Sequence, residues 1–429
     1  VAETWNAGIK FAALSDVGMR RANNQDAYAT LPADSPERFA RRGHLFVVAD
    51  GMGAHAAGEL ASQMAAEKIT QYYLKQSPVE AATALRLAVQ GANADIHRRG
   101  QENPEFFNMG TTASSIAITP EGVIVAHVGD SRVYRVRDGK LEQLTFDHSL
   151  VWEMQASGQV HPNSSLRHSI PKNVITRSLG PSEEVLVDME GPFPVKKGDV
   201  YLLCSDGLTG QVADEEIGPL IDSLPPEQAT RVLVDLANLR GGPDNTTTVI
   251  IQVTEMPGPD MSTSAKYAQK DPVPWLIFFT PVFCFIAALL LGFFGNIGPM
   301  VVAIVLGLIA AGVAAMQFRR LAQESNRAFP APKSNRSAPY RTYSAKPTDE
   351  LLKKLASVLE ALKQASDERK WSVDWSSVDS EMTEAAKARS KGDFKAATAH
   401  HATAIVTTMA QLRTQNRRAS DTTIIPERS

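Results

Sequence analysis

Aspartate recurs at the ends of apolar runs in this chain of 429 residues. Residues 46–50 read FVVAD and end at Asp50, residues 126–130 read AHVGD and end at Asp130, and residues 202–206 read LLCSD and end at Asp206. Asp244 stands in GGPDN directly before TTTVII, and Asp26 lies in RRANNQDAY. Each alone has a plain explanation, since Asp-Gly is a common turn and Asp a common helix cap. Recurrence changes the reading. Carboxylates delivered together to strand edges repel one another unless cations lie among them. An all-oxygen donor set suits Mg²⁺ or Mn²⁺, whereas thiolate or imidazole would suit Zn²⁺. Two such ions about 3.5–4 Å apart orient a water, lower its pKa and neutralise a transferring phosphoryl group. The glycines of FVVADGMGAHAAGE (46–59) lack the G-x-G-x-x-G spacing of a dinucleotide loop, so they fit a tight turn around Asp50 better than a cofactor cradle.

The elements that must position these carboxylates form a mixed pattern. Strands are expected at 9–14 and 44–49, and helices at 59–74 and 79–98, the latter following Ser77-Pro78 as cap and first-turn pair. TTASSIAIT, GVIVAHVGD and SRVYRVRDG, separated by Pro120-Glu121-Gly122 and continued past Asp138-Gly139, read as an antiparallel meander. Further strands are expected at EVLVDME, DVYLLCS and TTTVIIQVT, with helices at ADEEIGPLIDSL and EQATRVLVDLANL between the last two. Blocks of strands and blocks of helices argue for a layered α+β domain over an alternating doubly wound sheet.

A formal net charge of −3 gives no reason to expect a nucleic-acid partner. The two cysteines, Cys204 and Cys284, both fall in apolar runs and read as small buried hydrophobes rather than a metal clip or disulfide. The first ten residues, VAETWNAGIK, contain no apolar signal stretch.

Residues 272–294 and 299–318 are two uncharged apolar runs, each long enough to cross roughly 30 Å of hydrocarbon. Gly295, Asn296, Gly298 and Pro299 supply a turn between them. Lys266 and Lys270 on one flank and Arg319, Arg320 and Arg327 on the other place both ends in the cytoplasm by the positive-inside tendency. A buried helix pair is the alternative. The expected organisation is a catalytic domain over 1–256, a linker over 257–271, a transmembrane hairpin over 272–318 and a basic flexible linker over 319–347. A helical region over 348–418 and a disordered tail over 419–429 complete it. The helical region, broken at Gly392-Asp393-Phe394, reads equally as one tetratricopeptide-like hairpin or as a small bundle. This places the protein in the inner, cytoplasmic membrane with two spans, its catalytic domain and tail both cytoplasmic.

Taken in order, GMRRANNQD, VVADGMGAHAAGE, MGTT, HVGDSRVYRVRDGKL, TFDHSLV, ITRSLG, LLCSDGL and GGPDNTTTVI resemble the metal-dependent protein phosphatases of the PP2C type, in their bacterial serine/threonine form. The resemblance spans about residues 8–253. It implies a four-layer αββα sandwich, two central antiparallel sheets flanked by helices. It also implies hydrolysis of phosphoserine and phosphothreonine on proteins by a water activated between two Mn²⁺ or Mg²⁺ ions. By the same resemblance Asp50 bridges the two metals, the Gly51 carbonyl is a further ligand, and Asp206 and Asp244 bind one of them. Asp26 holds a metal-bound water, and Asp130 with Asp206 binds a third ion. Arg21, at the offset of an R-x-x-N-[EQ]-D pattern, grips the phosphoryl group, a task suited to its planar fork. The partners implied are phosphorylated proteins, a bacterial receptor-like Ser/Thr kinase and its substrates, and the lipid membrane.

The sequence departs from the pattern in places. Gln25 stands where many members carry Glu, Ala54 interrupts the commoner GMGGH, and Met52 occupies the position of a proposed general-acid histidine of animal members. His55 and His148 are the remaining proton-donor candidates, the latter read more as a structural hydrogen-bonder. Residues 151–174 match a variable flap expected to border the metal centre and help choose substrates. Two other readings stay open: a non-catalytic phosphoprotein-binding module of the same fold, and a regulator of sigma-factor antagonists.

Overall fold

The computed structural model describes residues 5, 7–53, 56–76, 79–161, 170–171, 174–255, 275–295, 297–326 and 337–421, leaving aside the side chains of 275–282, 285, 313–326 and 416–421. Ser77-Pro78, Ala54, His55 and the residues after 421 therefore lie outside the described residues. The chain divides into two compact units, Val1–Pro257 with Arg336–Ser429, and Gly258–Asn335.

The first unit contains two antiparallel sheets. One has the order β1 (Ile9–Asp16), β11 (Thr246–Val253), β10 (Val200–Cys204), β7 (Arg132–Arg137), β8 (Lys140–Gln143), β12 (Arg341–Ser344). The other runs β2 (Asp26–Leu31), β3 (His44–Met52), β5 (Ala113–Thr119), β6 (Gly122–Val128), β9 (Asp188–Phe193), with the short β4 (Gly110–Thr111) paired to β3. Strand periodicity explains the layering. On β3, Phe46 and Val48 pack into the core between the sheets with Tyr201, Leu203, Val249 and Ile251. Leu45, Val47 and Ala49 point the other way, onto α2 (Ala57–Lys75) and α3 (Ala81–Glu102). On β10 the alternation repeats. Leu202 and Cys204 face α6 (Asp214–Ser223) and α7 (Pro226–Leu239), and Tyr201 and Leu203 face the opposite sheet. The result is the expected helix–sheet–sheet–helix order. Short helices α1 (Pro36–Arg42), α4 (Leu150–Ala156) and α5 (Asp206–Thr209) lie in the connections.

Two expectations are corrected. The meander breaks after β6: β5 and β6 pair with each other, but β7 belongs to the opposite sheet, between β10 and β8. The chain changes sheets at Gly129-Asp130-Ser131. Gly129 has φ 113°, and a Cβ there would collide with Thr112. The Asp138-Gly139 turn does form a hairpin, between β7 and β8, with φ of 51° and 69°, as a type I′ turn requires.

The second correction concerns the tail. Residues 337–347, expected to belong to a flexible linker, include β12, which adds an outer strand beside β8. Its open backbone edge is what an added strand can pair with. Three helices follow, α10 (Asp349–Arg369), α11 (Trp375–Ser390) and α12 (Phe394–Asp421). Helix α12 packs on α7 and α6, and α10 and α11 pack on α12. Leu351, Leu355, Leu359 and Leu362, spaced on one face of α10, enter the same core as Leu220, Leu233 and Leu236. The tail is a fifth layer of the domain.

The second unit holds α8 (Trp275–Phe293) and α9 (Ile297–Asn326), packed against each other across a turn in which Gly295 has φ 76°. These are the two apolar runs expected to span a membrane. Among the described residues, no helix is long and apolar enough to cross one. The described side chains of the pair are nevertheless exposed at Phe283, Leu289, Phe293, Phe294, Ile297 and Val302.

Candidate active site

The sheet ends bring the five aspartates together. Asp26 begins β2 and stands directly opposite Asp50 on β3. Asp206 opens α5 at the end of β10, Asp244 precedes β11, and Asp130 occupies the crossover between the sheets. Their electrostatics record the proximity. The Asp50 carboxyl is held well above the usual carboxylate range, first by burial and then by Asp26, Asp206, Asp130 and Asp244. Burial raises Asp26 to about 7, with Ser205 and Thr247 opposing and Asp206 and Asp244 adding to the rise. Burial, Asp206 and Asp147 raise Asp130 to about 8, and burial with Asp244 raises Asp206.

The backbone around each carboxylate is tightly fixed. The Asp50 N–H donates to Thr112 Oγ1 (2.9 Å), and its carbonyl accepts from the Thr111 hydroxyl and the Thr112 N–H. The Gly51 N–H donates to the Gln25 carbonyl (3.0 Å), and a Cβ at residue 51 would collide with the Gly58 and Gln25 carbonyls. Glycine at 51 is thus a packing requirement of the turn after Asp50. The Ser205 hydroxyl donates to Asp26 Oδ2 (2.7 Å) and accepts from the Thr247 N–H (2.9 Å). Asn245 ties the loop before β2 to the start of β11. Its amide donates to the Val17 and Asn23 carbonyls, and its Oδ1 accepts from the Gln25 N–H. Thr112, Ser205 and Asn245 were not singled out from sequence. Each lies inside a motif quoted above, but nothing in local periodicity marks a side chain that bonds across the fold.

Arg21 reaches the cluster through Asp244, donating from Nη2 to Oδ2 at 2.8 Å, with both side chains partly exposed. His148 takes a structural position. Its Nδ1 accepts from the Gly129 N–H (2.9 Å), which leaves Nε2 to donate to Asp188 (2.9 Å). Both ring nitrogens are thus committed to groups of the fold, one to the backbone beside Asp130 and one to β9. The Cys204 thiol is buried and its pKa pushed up, the reverse of an activated nucleophile.

Among the described residues, no group of three or more His, Cys, Asp or Glu is drawn together closely enough to hold a metal ion as the side chains stand. The donor set still fits a hard divalent cation. It is all oxygen, its charges repel, and Asp130 Oδ1 is buried with no hydrogen-bond partner.

A model of the protein phosphatase 2C family matches residues 19–235. The protein phosphatase PhpP of Streptococcus pneumoniae is 35% identical over 254 residues, covering 58% of this chain and 98% of that protein. The serine/threonine protein phosphatase PstP of Mycobacterium tuberculosis is 35% identical over 268 residues, covering 62% of this chain and 47% of that protein. The crystal structure of the Mycobacterium tuberculosis serine/threonine phosphatase PstP/Ppp superposes with a TM-score of 0.50 at 34% identity, over 58% of this chain and 99% of that one.

Proposed function

The chain belongs to the protein phosphatase 2C family, and from that premise we propose a serine/threonine protein phosphatase whose residues Asp50, Gly51, Asp206, Asp244 and Asp130 hold its metal ions. The cofactor is Mn²⁺ or Mg²⁺. When bound, the ions supply an acidified water and offset the charge of the phosphoryl oxygens.

The observation that carries this reading is the convergence of Asp26, Asp50, Asp130 and Asp206, each with its carboxyl pKa raised by burial and by at least one neighbouring aspartate. Such an arrangement is unfavourable in an apo protein and becomes favourable when cations neutralise it. Asp26, held by Ser205, positions and accepts a proton from the attacking water. Arg21 is exposed enough to turn its guanidinium from Asp244 to a substrate phosphoryl group, which it can grip through two N–H donors. His148 keeps the Gly129-Asp130 crossover in place without entering the chemistry. The test is hydrolysis of a phosphothreonine peptide with Mn²⁺ and with a chelator. Activity that persists in the chelator contradicts the reading.

The proposal extends to location. The exposed apolar side chains of α8 and α9, Phe293 and Phe294 among them, favour a lipid-facing hairpin tethering the enzyme to the cytoplasmic membrane. Deleting residues 272–318 should then release the protein from the membrane fraction. A tethered phosphatase is suited to opposing a membrane-bound Ser/Thr kinase, whose phosphorylated substrates it would meet at the same surface.

A further inference from the structure

The tail contacts α4, the helix that follows the His148–Gly129 hydrogen bonds beside Asp130. Strand β12 runs antiparallel to β8, with Arg341 opposite Gln143, and the preceding Tyr340 N–H donates to the Gln143 carbonyl at 2.9 Å. The Tyr340 hydroxyl donates to Glu190 on β9 (2.5 Å), so the segment is fastened to both sheets. Its side chains close around α4. The Arg341 guanidinium lies 3.9 Å from the centre of the Trp152 ring, and the Tyr340 ring meets Phe146 at 5.6 Å, which in turn meets Trp152 edge-on at 5.2 Å.

Trp152 is also approached from the catalytic sheet. Arg132, two residues beyond Asp130, has its guanidinium 5.9 Å from the same ring and is paired with Asp147 at 2.6 Å. At the start of α4, His148 exchanges hydrogen bonds with Gly129, its N–H donating to the Gly129 carbonyl at 2.7 Å. One indole is thus held between a cation of the catalytic sheet and a cation of the tail, on a helix whose root is hydrogen-bonded to the residue before Asp130. On α4, Glu153 is exposed and accepts from the Thr176 hydroxyl.

We propose that Arg341 is a positioning residue for the active-site rim: by stacking on Trp152 it fixes α4 beside Asp130, so that the tail sets how a protein substrate seats. A cation over an indole face is the strongest form of this contact. The body of the domain also holds α4, through the Leu150 N–H to the Val174 carbonyl, Thr176 to Glu153, buried Val151 and the Arg132 and Phe146 contacts of Trp152; Arg341 adds a contact from the tail on the same indole. The substrate part of this inference rests on the phosphatase reading above; the structural part does not.

Arg341→Met keeps the length and apolar stem and removes the cation, and Arg341→Lys keeps the cation. The test measures amide hydrogen exchange across the full chain, and KM and kcat with Mn²⁺ on a phosphothreonine peptide and on p-nitrophenyl phosphate. In Arg341→Met, the α4 amides should exchange about three- to tenfold faster while those of β7 and β10 hold. Peptide KM should rise by a similar factor, with kcat and the KM for p-nitrophenyl phosphate within about twofold of the parent, and Arg341→Lys should restore both. Unchanged α4 exchange overturns the proposal, as does a rise spread equally over the sheets or failure of lysine to rescue. If the parent protein hydrolyses neither ester, the phosphatase reading falls, and the exchange data alone still decide whether Arg341 holds α4.

Discussion

Asp26 and Asp50 face each other across neighbouring antiparallel strands, two like-charged side chains in directly opposed positions. Directly opposed like charges destabilise a strand pair. Here burial adds to the penalty, and the pKa values of both carboxyls are raised. The sequence retains this arrangement at the mouth of a well-packed sandwich, where neutral residues would be more stable, and metal-dependent catalysis accounts for it.

Ser205 should prove essential to the geometry of Asp26. Ser205→Ala removes the hydroxyl that donates to Asp26 and strands the buried Thr247 N–H. A stability loss of about 1–3 kcal/mol is expected in urea unfolding, together with reduced turnover. A variant as stable and as active as the parent would show that the bond carries neither role.

The tail should behave as part of the domain core. Leu355 is fully buried between α10 and the body of the domain. Leu355→Ala should cost about 2–5 kcal/mol, read as a lowered urea midpoint of the single transition that also reports the sheets. A separate, earlier transition of the tail alone would contradict the shared core.

Acid should weaken the fold through His44. Burial, only partly offset by the Ala7 carbonyl, lowers its pKa to about 4. Its Nδ1 accepts from the Ala33 N–H and its Nε2 faces the Ala7 carbonyl, a pattern that suits the neutral ring. The unfolded chain takes up this proton near pH 6.5 and the folded chain only near 4. Stability should therefore fall as pH drops from about 6.5 to 4, by at most about 3 kcal/mol from this group. Urea midpoints at pH 7 and pH 4.5 should differ less in His44→Gln; an equal difference would contradict the assignment.

The legibility of the sequence followed the range of the interactions. Strands β3, β10 and β11 and helices α2, α6 and α7 were readable because alternation and helical periodicity are local properties, and Asp50, Asp206 and Asp244 were readable because each borders such a run, the first two at its end and the third before its start. The change of sheet at Gly129 was not. An apolar run on either side of a turn looks the same whether the second strand pairs with the first or crosses to another sheet, and here the choice depends on β10, some seventy residues away. Strand β12 was missed for a related reason. Its four residues lie in a segment rich in Pro, Ser and Arg, and only the free edge of β8 makes them a strand. Asn245 bonds to three backbone groups more than two hundred residues distant, a role no spacing rule could reveal.

The central claim is that Asp50 stands among mutually repelling carboxylates in order to hold metal for phosphoester hydrolysis. The direct measurement is turnover of a phosphothreonine peptide by the full chain and by Asp50→Asn, with Mn²⁺ and in chelator, alongside melting temperatures of the metal-free proteins. The account predicts metal-dependent hydrolysis by the parent and a loss of about a thousandfold or more in the variant. It also predicts a metal-free melting point about 2–4 °C higher in Asp50→Asn, because a buried repulsion has been removed. Full activity in the variant, or activity of the parent in chelator, would contradict it.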